Sequence, residues 1–159
     1  MILENYPVIH IDFDGTLFDT FFETDPVDGK YYYVCTPQPF SIEVTRLLAA
    51  MGHELVCITM GSTSETGSVL LEGKREVMRK HFPWFKRIMA TPRMKQYIPE
   101  VKFLIDDSSF YLDDGFKPGI YLAPVKDHAI NYVADNVMRA TSWYDIAILL
   151  GLIEEPVCC

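Results

Sequence analysis

Two aspartates separated by one residue, Asp12 and Asp14, directly follow a largely apolar run at residues 8–11. The β-branched residues of this run favour a buried parallel strand. Because side chains alternate along a strand, both carboxylates are expected on the same side, just beyond its carboxyl end, where open α/β sheets bind ligands. Two like charges this close favour an oxygen-liganded divalent cation, such as Mg²⁺, or one protonated acid. The alternative is that Asp14 and Gly15 mark a turn and that both acids are solvated.

A second pair of acids, Asp106 and Asp107, ends another apolar segment at residues 101–107. If this strand neighbours the first, the four carboxylates lie close together at one edge of the sheet. Such a cluster is hard to explain without a metal ion, because so much negative charge in one place repels itself.

A hydroxyl side chain ends a further predicted strand. The apolar segment 53–59 ends at Thr59, and Met60 and Gly61 follow it. A hydroxyl together with the backbone N–H groups after it is a suitable cradle for phosphate, since these donors need no counter-charge and glycine permits close approach. We therefore expect Thr59, Met60 and Gly61 to bind phosphate.

Short apolar segments recur along the chain and are separated by helical patterns or loops. Residues 87–91 and 120–122 are also predicted strands, which brings the core to about five strands. Strands that alternate with helices or loops predict a doubly wound parallel sheet, here in a single α/β domain over residues 1–159. Ser41 and Ser142 are predicted to cap the helices that follow them.

Residues 17–40 interrupt this pattern soon after the first strand. The turn sequence VDGK, followed by residues 31–34, predicts a β-hairpin. We expect the hairpin to form a flap, or minimal cap, over the acids. Phe18, Phe21 and Tyr32 are near enough to these acids in the sequence to contact a ligand, although packing within the flap is the simpler role for them.

The segment DFDGTL at residues 12–17, placed after a hydrophobic strand, resembles the first signature of the haloacid dehalogenase (HAD) superfamily of phosphotransferases and phosphatases. The strand ending in Thr59 and the segment FLIDD at residues 103–107 resemble the second and fourth motifs of that family, in the same order. The third motif is a lysine upstream of the fourth. Lys95 matches it best, and Lys74 is the alternative.

This resemblance implies a three-layer Rossmann-like fold and a Mg²⁺-dependent phosphatase. Asp12 would be the nucleophile that becomes an aspartyl-phosphate, and Asp14 would be the general acid and base. The ligands of Mg²⁺ would be Asp12, the backbone carbonyl of Asp14, and Asp106, with Asp107 in support. The phosphoryl group would be bound by Thr59, Met60, Gly61 and Lys95.

The acid pair, a later Asn131 and the pattern R-x-x-S-W at residues 139–143 are similar to the 5′(3′)-deoxyribonucleotidase branch of the superfamily, which implies a nucleoside monophosphate as the substrate. Such nucleotidases usually carry a helical cap domain, whereas only residues 16–40 lie between Gly15 and the predicted core helix that begins at Ser41. A nearly capless site leaves room for a larger substrate, such as a 3′-phosphorylated polynucleotide or a phosphoprotein. A non-catalytic HAD-like binding module is a further alternative, although every catalytic position is filled.

Composition limits the other classes of function. The chain has 159 residues, of which 49% are apolar and 23% are charged, as is typical of a globular domain. Its net charge of −8 argues against non-specific nucleic-acid binding, which needs a basic surface. With no long apolar run and no basic leader, a cytoplasmic protein without membrane contact is expected. Cys35 and Cys57 are expected to be reduced, Cys158 and Cys159 are interpreted as an incidental tail, and the oligomeric state is left open, a dimer included.

Overall fold

Eight strands and three α-helices make up the computed structural model, which describes residues 2–61, 65–112, 117–127 and 134–154. The strands are β1 (Val8–Asp12), β2 (Phe18–Thr24), β3 (Tyr31–Pro37), β4 (Glu54–Met60), β5 (Arg87–Thr91), β6 (Leu104–Asp106), β7 (Gly119–Leu122) and β8 (Val137–Ala140). The helices are α1 (Ser41–Ala50), α2 (Glu65–His81) and α3 (Trp143–Leu149). Asn131, Cys158 and Cys159 lie outside the described residues.

Strand β1 lies inside a six-stranded sheet with the order β5-β4-β1-β6-β7-β8, in which all neighbouring strands are parallel. Asp12 is aligned with Ile58 of β4, and Ile11 is aligned with Ile105 of β6. After β1 the chain first adds strands on one side of it and then crosses to the other, which makes the sheet doubly wound. The predicted fold class is confirmed, with the Rossmann-like sheet that the HAD resemblance implies.

The structure adds one strand to the five that the sequence predicts. Strand β8 has four residues, and Arg139 interrupts its apolar run, so the sequence offers no continuous apolar segment there that would predict a strand. The strand predicted over residues 101–107 is shorter, because only Leu104–Asp106 pair with β1 and β7. The strand predicted over 53–59 begins one residue later and extends to Met60.

The apolar core has one part on each face of the sheet, because side chains alternate along each strand. Cys57 packs in the cluster that holds Leu48 of α1 and Ile146 of α3. Its neighbour Ile58 packs on the opposite face, in the cluster that holds Val101. On that second face, the described covering segments are loops and short 3₁₀ turns at Lys95–Tyr97, Ser109–Tyr111 and Val125–Asp127. Each fully buried leucine or isoleucine contributes roughly 2 kcal/mol to stability.

Strands β2 and β3 form an antiparallel hairpin, as predicted for residues 17–40, and they pair along their whole length. The tip is stabilised by the Asp25 carboxylate, which accepts a hydrogen bond from the Val27 backbone N–H at 2.7 Å. Gly29 has a φ of 70°, a left-handed conformation that glycine adopts without a steric penalty. The hairpin is therefore specified by its own turn residues.

The two predicted serine caps differ in the structure. At α3, Ser142 Oγ accepts a hydrogen bond from the Asp145 backbone N–H at 3.1 Å, so this cap is confirmed. The prediction that Ser41 caps α1 is wrong, because Phe40 occupies that position and Ser41 is already helical. The Ser41 hydroxyl instead donates to the Gln38 carbonyl at 2.7 Å, which joins the helix to the exit of the hairpin.

Two further expectations concern thiols and membranes. Cys35 is half-buried and Cys57 is buried, and both are free cysteines, as predicted. Within the described residues, none of the helices combines the length and the apolar character needed to cross a bilayer.

The indole of Trp143 joins α3 to the loop after β1. It is buried, and its Nε1 donates to the Thr16 carbonyl at 2.7 Å. Because Trp143→Phe removes this donor and leaves a small cavity, we expect the free energy of unfolding in urea to fall by about 2 kcal/mol. Tyr144→Phe, at the exposed next position, is the matched control and should change stability by less than about 0.5 kcal/mol. Equal effects of the two substitutions would contradict the role assigned to the indole.

Candidate active site

The carboxyl ends of β1 and β6 bring three acids together. Because these strands are direct neighbours, Asp12 and Asp106 lie side by side, and Asp107 follows immediately. Each of the three offers a carboxylate oxygen, and these oxygens all lie within 4.8 Å of one another. Asp12 and Asp106 are buried, whereas Asp107 is half-buried. The carboxylate of Asp14 contacts a different set of groups, described below.

A single ammonium group lies between two of these acids. The Lys95 Nζ donates to Asp12 Oδ1 at 2.5 Å and to Asp106 Oδ2 at 2.7 Å, and only 2% of the residue is exposed. Lys95 reaches this position from the 3₁₀ turn after β5, on the second face of the sheet. Burial lowers the pKa of the Lys95 ammonium, but the charges of the two carboxylates raise it more, so the group stays protonated. The predicted lysine thus contacts the predicted nucleophile.

The acids carry more negative charge than Lys95 offsets. Burial and the charge of Asp106 raise the pKa of Asp12 well above its usual range, against the opposing effect of Lys95. Burial and the same neighbouring charge raise the pKa of Asp107 to about 6. Three carboxylates around one ammonium favour a divalent cation, and a donor set made only of oxygens suits Mg²⁺ better than a metal that prefers nitrogen or sulfur. The residues present therefore fit the Mg²⁺ that the sequence predicts.

The loop after β1 holds Asp107 in place. The Thr16 hydroxyl accepts a hydrogen bond from the Asp107 backbone N–H at 3.0 Å and donates to Asp107 Oδ1 at 3.2 Å. Gly15 has a φ of 77°, and a Cβ at this position would lie 2.1 Å from Asp107 Oδ2. The sequence contains both residues in its first motif, but their contact with Asp107 was not predicted, because it joins segments 91 positions apart.

Asp14 lies in a second cluster of polar groups. Its carboxylate accepts hydrogen bonds from the Lys74 ammonium and the Tyr33 hydroxyl, and from Thr59 Oγ1 at 3.3 Å. Lys74 Nζ also donates to Thr59 Oγ1 at 2.8 Å. Burial raises the pKa of Asp14, but the hydrogen bonds from Lys74 and Tyr33 and the charge of Lys74 outweigh it, so the pKa is lowered overall. Asp14 is therefore ionised in this arrangement.

Both candidate lysines are in the site, in different halves of it. Lys95 contacts Asp12 and Asp106, whereas Lys74 contacts Asp14 and Thr59. Lys102, which precedes β6, is exposed. Sequence spacing suggested one lysine or the other, but α2 and the turn after β5 approach the strand ends from different directions and bring one lysine each.

The predicted phosphate cradle is only partly available. Thr59 is buried, and its hydroxyl contacts Asp14 and Lys74. Met60 and Gly61 line a cavity that also contains Asp14, Thr59 and Lys74. However, the backbone N–H of Gly61 donates to the Thr91 carbonyl at 2.9 Å, so it is not a free donor in this structure.

The hairpin presents different aromatic residues from those that the sequence suggested. Phe18 is buried in the core, where its ring stacks on Phe13 with centroids 4.6 Å apart. The Tyr32 hydroxyl donates to Glu23 at 2.5 Å on the exposed side of the hairpin. Phe22 and Tyr33, a cross-strand pair, line a cavity beside Asp14 instead. The period of two along a strand could have identified Tyr33, but the sequence did not show which face is inward.

No protein-family model matches this sequence, and no curated protein matches it. Among solved structures, the chain is similar to the fission yeast RNA polymerase II CTD phosphatase Fcp1 bound to beryllium fluoride, with a TM-score of 0.41 and 13% sequence identity. The match covers 89% of this chain and 43% of that chain, so this chain spans less than half the length of the other. The chemistry of the site must therefore follow from its own residues.

The contact between Gly15 and Asp107 can be tested with a matched pair of glycine substitutions. Gly15→Ala and Gly29→Ala both place an alanine at a positive φ, at a strain of roughly 1 kcal/mol each. Only Gly15→Ala displaces the Asp107 carboxylate, since nothing lies within 4 Å of the Cβ at position 29. We expect Mg²⁺ binding, measured by isothermal titration calorimetry, to weaken about tenfold or more for Gly15→Ala and to stay unchanged for Gly29→Ala. Unchanged Mg²⁺ binding in both variants would show that Asp107 is not part of the metal site.

Proposed function

We propose that this protein is a Mg²⁺-dependent phosphomonoesterase of the HAD type, which acts through an aspartyl-phosphate on Asp12. The observation that carries the proposal is the pair of half-sites at the end of β1. In one, buried Asp12 contacts Lys95 and faces Asp106 and Asp107. In the other, a second acid, Asp14, shares its contacts with a lysine and hydroxyl groups. A nucleophile and a proton-transfer group side by side are what two-step phosphate hydrolysis requires.

In the first step, a carboxylate oxygen of Asp12 attacks phosphorus and the ester oxygen leaves. When bound by Asp12, Asp106 and Asp107, Mg²⁺ supplies positive charge that lets an anionic nucleophile approach an anionic phosphate. Lys95 remains an ammonium beside Asp12 and stabilises the charge that moves onto the phosphoryl oxygens. Thr59 and Lys74, whose donors face the same space, bind the phosphoryl oxygens from the other side.

Asp14 transfers the protons. In the second step its ionised carboxylate accepts a proton from the water that hydrolyses the aspartyl-phosphate, and the lowered pKa of Asp14 keeps it in the form needed for that step. In the first step it must carry a proton to the leaving oxygen. A phosphate monoester that binds as its monoanion supplies this proton to the ionised Asp14 carboxylate.

A nucleoside monophosphate is the substrate that the sequence resemblance suggests. Of the residues that carry this narrower resemblance, Asn131 is outside the described residues. Arg139 donates to the Asp127 carbonyl at 3.1 Å, and Trp143 donates to Thr16, so both have partners within the fold. The hairpin of residues 17–40, as a minimal cap, leaves the site open enough for a phosphopeptide or a 3′-phosphorylated oligonucleotide as well. The proposed activity therefore includes all three kinds of monoester.

Phosphate release from nucleoside monophosphates, sugar phosphates, aryl phosphates, phosphopeptides and 3′-phosphorylated oligonucleotides tests the proposed reaction. We expect turnover with Mg²⁺, none with EDTA, and a loss of at least about 10³-fold in Asp12→Asn. Asp135→Asn, an exposed aspartate before β8, is the matched control and should keep full activity. Absence of release from every substrate would refute the phosphatase and favour a non-catalytic binding module, whereas equal activity in Asp12→Asn would refute the aspartyl-phosphate on Asp12.

The balance of charge at Asp12 predicts how metal and stability are linked. Lys95→Met leaves Asp12 and Asp106 buried without their cation, so the free energy of unfolding in EDTA should fall by about 3 kcal/mol. Saturating Mg²⁺ should restore a large part of that loss, because the cation replaces the missing positive charge. Lys102→Met, at an exposed lysine, should change stability little under both conditions. A loss in Lys95→Met that Mg²⁺ does not reduce would contradict a metal at these carboxylates.

A further inference from the structure

Two cavities flank the acids on opposite sides. The Asp14 cavity, of about 310 Å³, lies between the hairpin, the end of β4 and helix α2. The Asp107 cavity, of about 520 Å³, lies beside Asp107 and Gly15 and reaches the start of α3. One cavity contains the Asp14 carboxylate and the other contains the Asp107 carboxylate, and this difference decides which cavity receives the leaving group.

The leaving group must lie beside the group that protonates it. In the proposed reaction this group is Asp14, which lines the first cavity, whereas Asp107 belongs to the metal-binding half of the site. Thr59 and Lys74, the proposed phosphoryl donors, line the Asp14 cavity as well. A phosphate held by these donors therefore directs its ester group into the Asp14 cavity.

Beyond these polar groups, the described walls of the Asp14 cavity are largely apolar. They are formed by Phe22, Tyr33, Met60, Gly61, Leu70 and Leu71. The Phe22 and Tyr33 rings lie with centroids 5.2 Å apart and an interplanar angle of 46°, and Phe22 is 62% exposed. The Tyr33 hydroxyl is already bonded to Asp14. Of the described wall residues beyond Asp14, Thr59 and Lys74, none has a charged side chain that would bind the hydroxyl groups of a sugar.

We propose that the Asp14 cavity binds an apolar aromatic leaving group, so that the preferred substrates are aryl phosphate monoesters. This inference rests on the proposed phosphatase function and adds the substrate class to it. A ring attached directly to the ester oxygen enters the cavity between the hairpin aromatics and the leucines of α2, where burial of its apolar surface favours binding. A ribose at the same position would place its hydroxyl groups against apolar walls, where they lose hydrogen bonds to water.

The reaction on such an ester is balanced with the groups already named. An Asp12 carboxylate oxygen forms a bond to phosphorus while the bond from phosphorus to the aryl oxygen breaks. The electron pair of that bond stays on the aryl oxygen, which takes from Asp14 the proton that the monoanionic ester brought to it, and leaves as a phenol. Water then attacks the phosphorus of the aspartyl-phosphate, gives its proton to Asp14, and releases inorganic phosphate and the Asp12 carboxylate.

Binding of two unreactive phosphonates measures this preference without the greater chemical reactivity of aryl esters. We expect phenylphosphonate to bind about tenfold more tightly than methylphosphonate in calorimetry with Mg²⁺, because only the former fills the cavity. Phe22→Ala and Leu70→Ala should each remove most of this difference and raise KM for phenyl phosphate more than they lower kcat. Their matched controls are Phe21→Ala, on the other face of the same strand, and Leu47→Ala, on the exposed side of α1; both should leave the difference unchanged.

The possible failures are distinguishable. Turnover of several esters with equal binding of the two phosphonates would overturn the aryl preference and leave the phosphatase intact. Binding of both phosphonates that weakens equally in Phe22→Ala and Phe21→Ala would also overturn it, since the cavity face would not matter. No phosphonate binding and no ester hydrolysis would overturn the proposed function and this inference together. Among reactive substrates, phenyl phosphate and a phosphotyrosine peptide separate a small aryl ester from the same group on a polypeptide.

Discussion

The ammonium of Lys95 between Asp12 and Asp106 is the interaction on which the candidate site depends. Two buried carboxylates on adjacent strands would repel each other strongly without a cation, because the low-dielectric interior screens their charges poorly. Parallel pairing of β1 with β6 forces the acids together, and the turn after β5 provides the positive charge. The lysine is therefore part of the fold as much as of the chemistry. With Asp107 included, the site still has excess negative charge, which suits a divalent cation.

The contacts of Asp14 are separate from those of the other acids. Asp14 is only two residues from Asp12, yet its carboxylate contacts Lys74, Thr59 and Tyr33 rather than the other acids. This separation allows neighbouring carboxylates to have different properties, since burial and repulsion raise the pKa of Asp12 while hydrogen bonds lower that of Asp14. Because Tyr33 belongs to the hairpin, its hydrogen bond ties the hairpin directly to Asp14, the proposed proton-transfer group.

The loop after β1 links this chemistry to the packing of the domain. Trp143 holds the Thr16 carbonyl from helix α3, and the Thr16 side chain holds Asp107. Gly15 is required beside them, because any side chain would meet the Asp107 carboxylate. A short run of residues thus contains the proposed nucleophile, the proposed proton-transfer group and the support for a proposed metal ligand. Substitutions that weaken the packing of α3 should for this reason change the position of the Asp107 carboxylate.

Local sequence determined the parts of this protein that depend on neighbouring residues. Apolar runs predicted most of the parallel strands, the acids appeared at the strand ends, and the turn residues predicted the hairpin, because strand and turn preferences act over a few residues. Tertiary structure decided which residues meet across long separations. It brought Lys74 into contact with Asp14, 60 positions away in the sequence, and directed Tyr33 rather than Tyr32 toward Asp14. It also paired β8 with β7, and it placed the Ser41 hydroxyl where it donates to the Gln38 carbonyl. These outcomes depend on strand register and on the direction from which helices and turns approach the sheet, and periodicity carries no information about either.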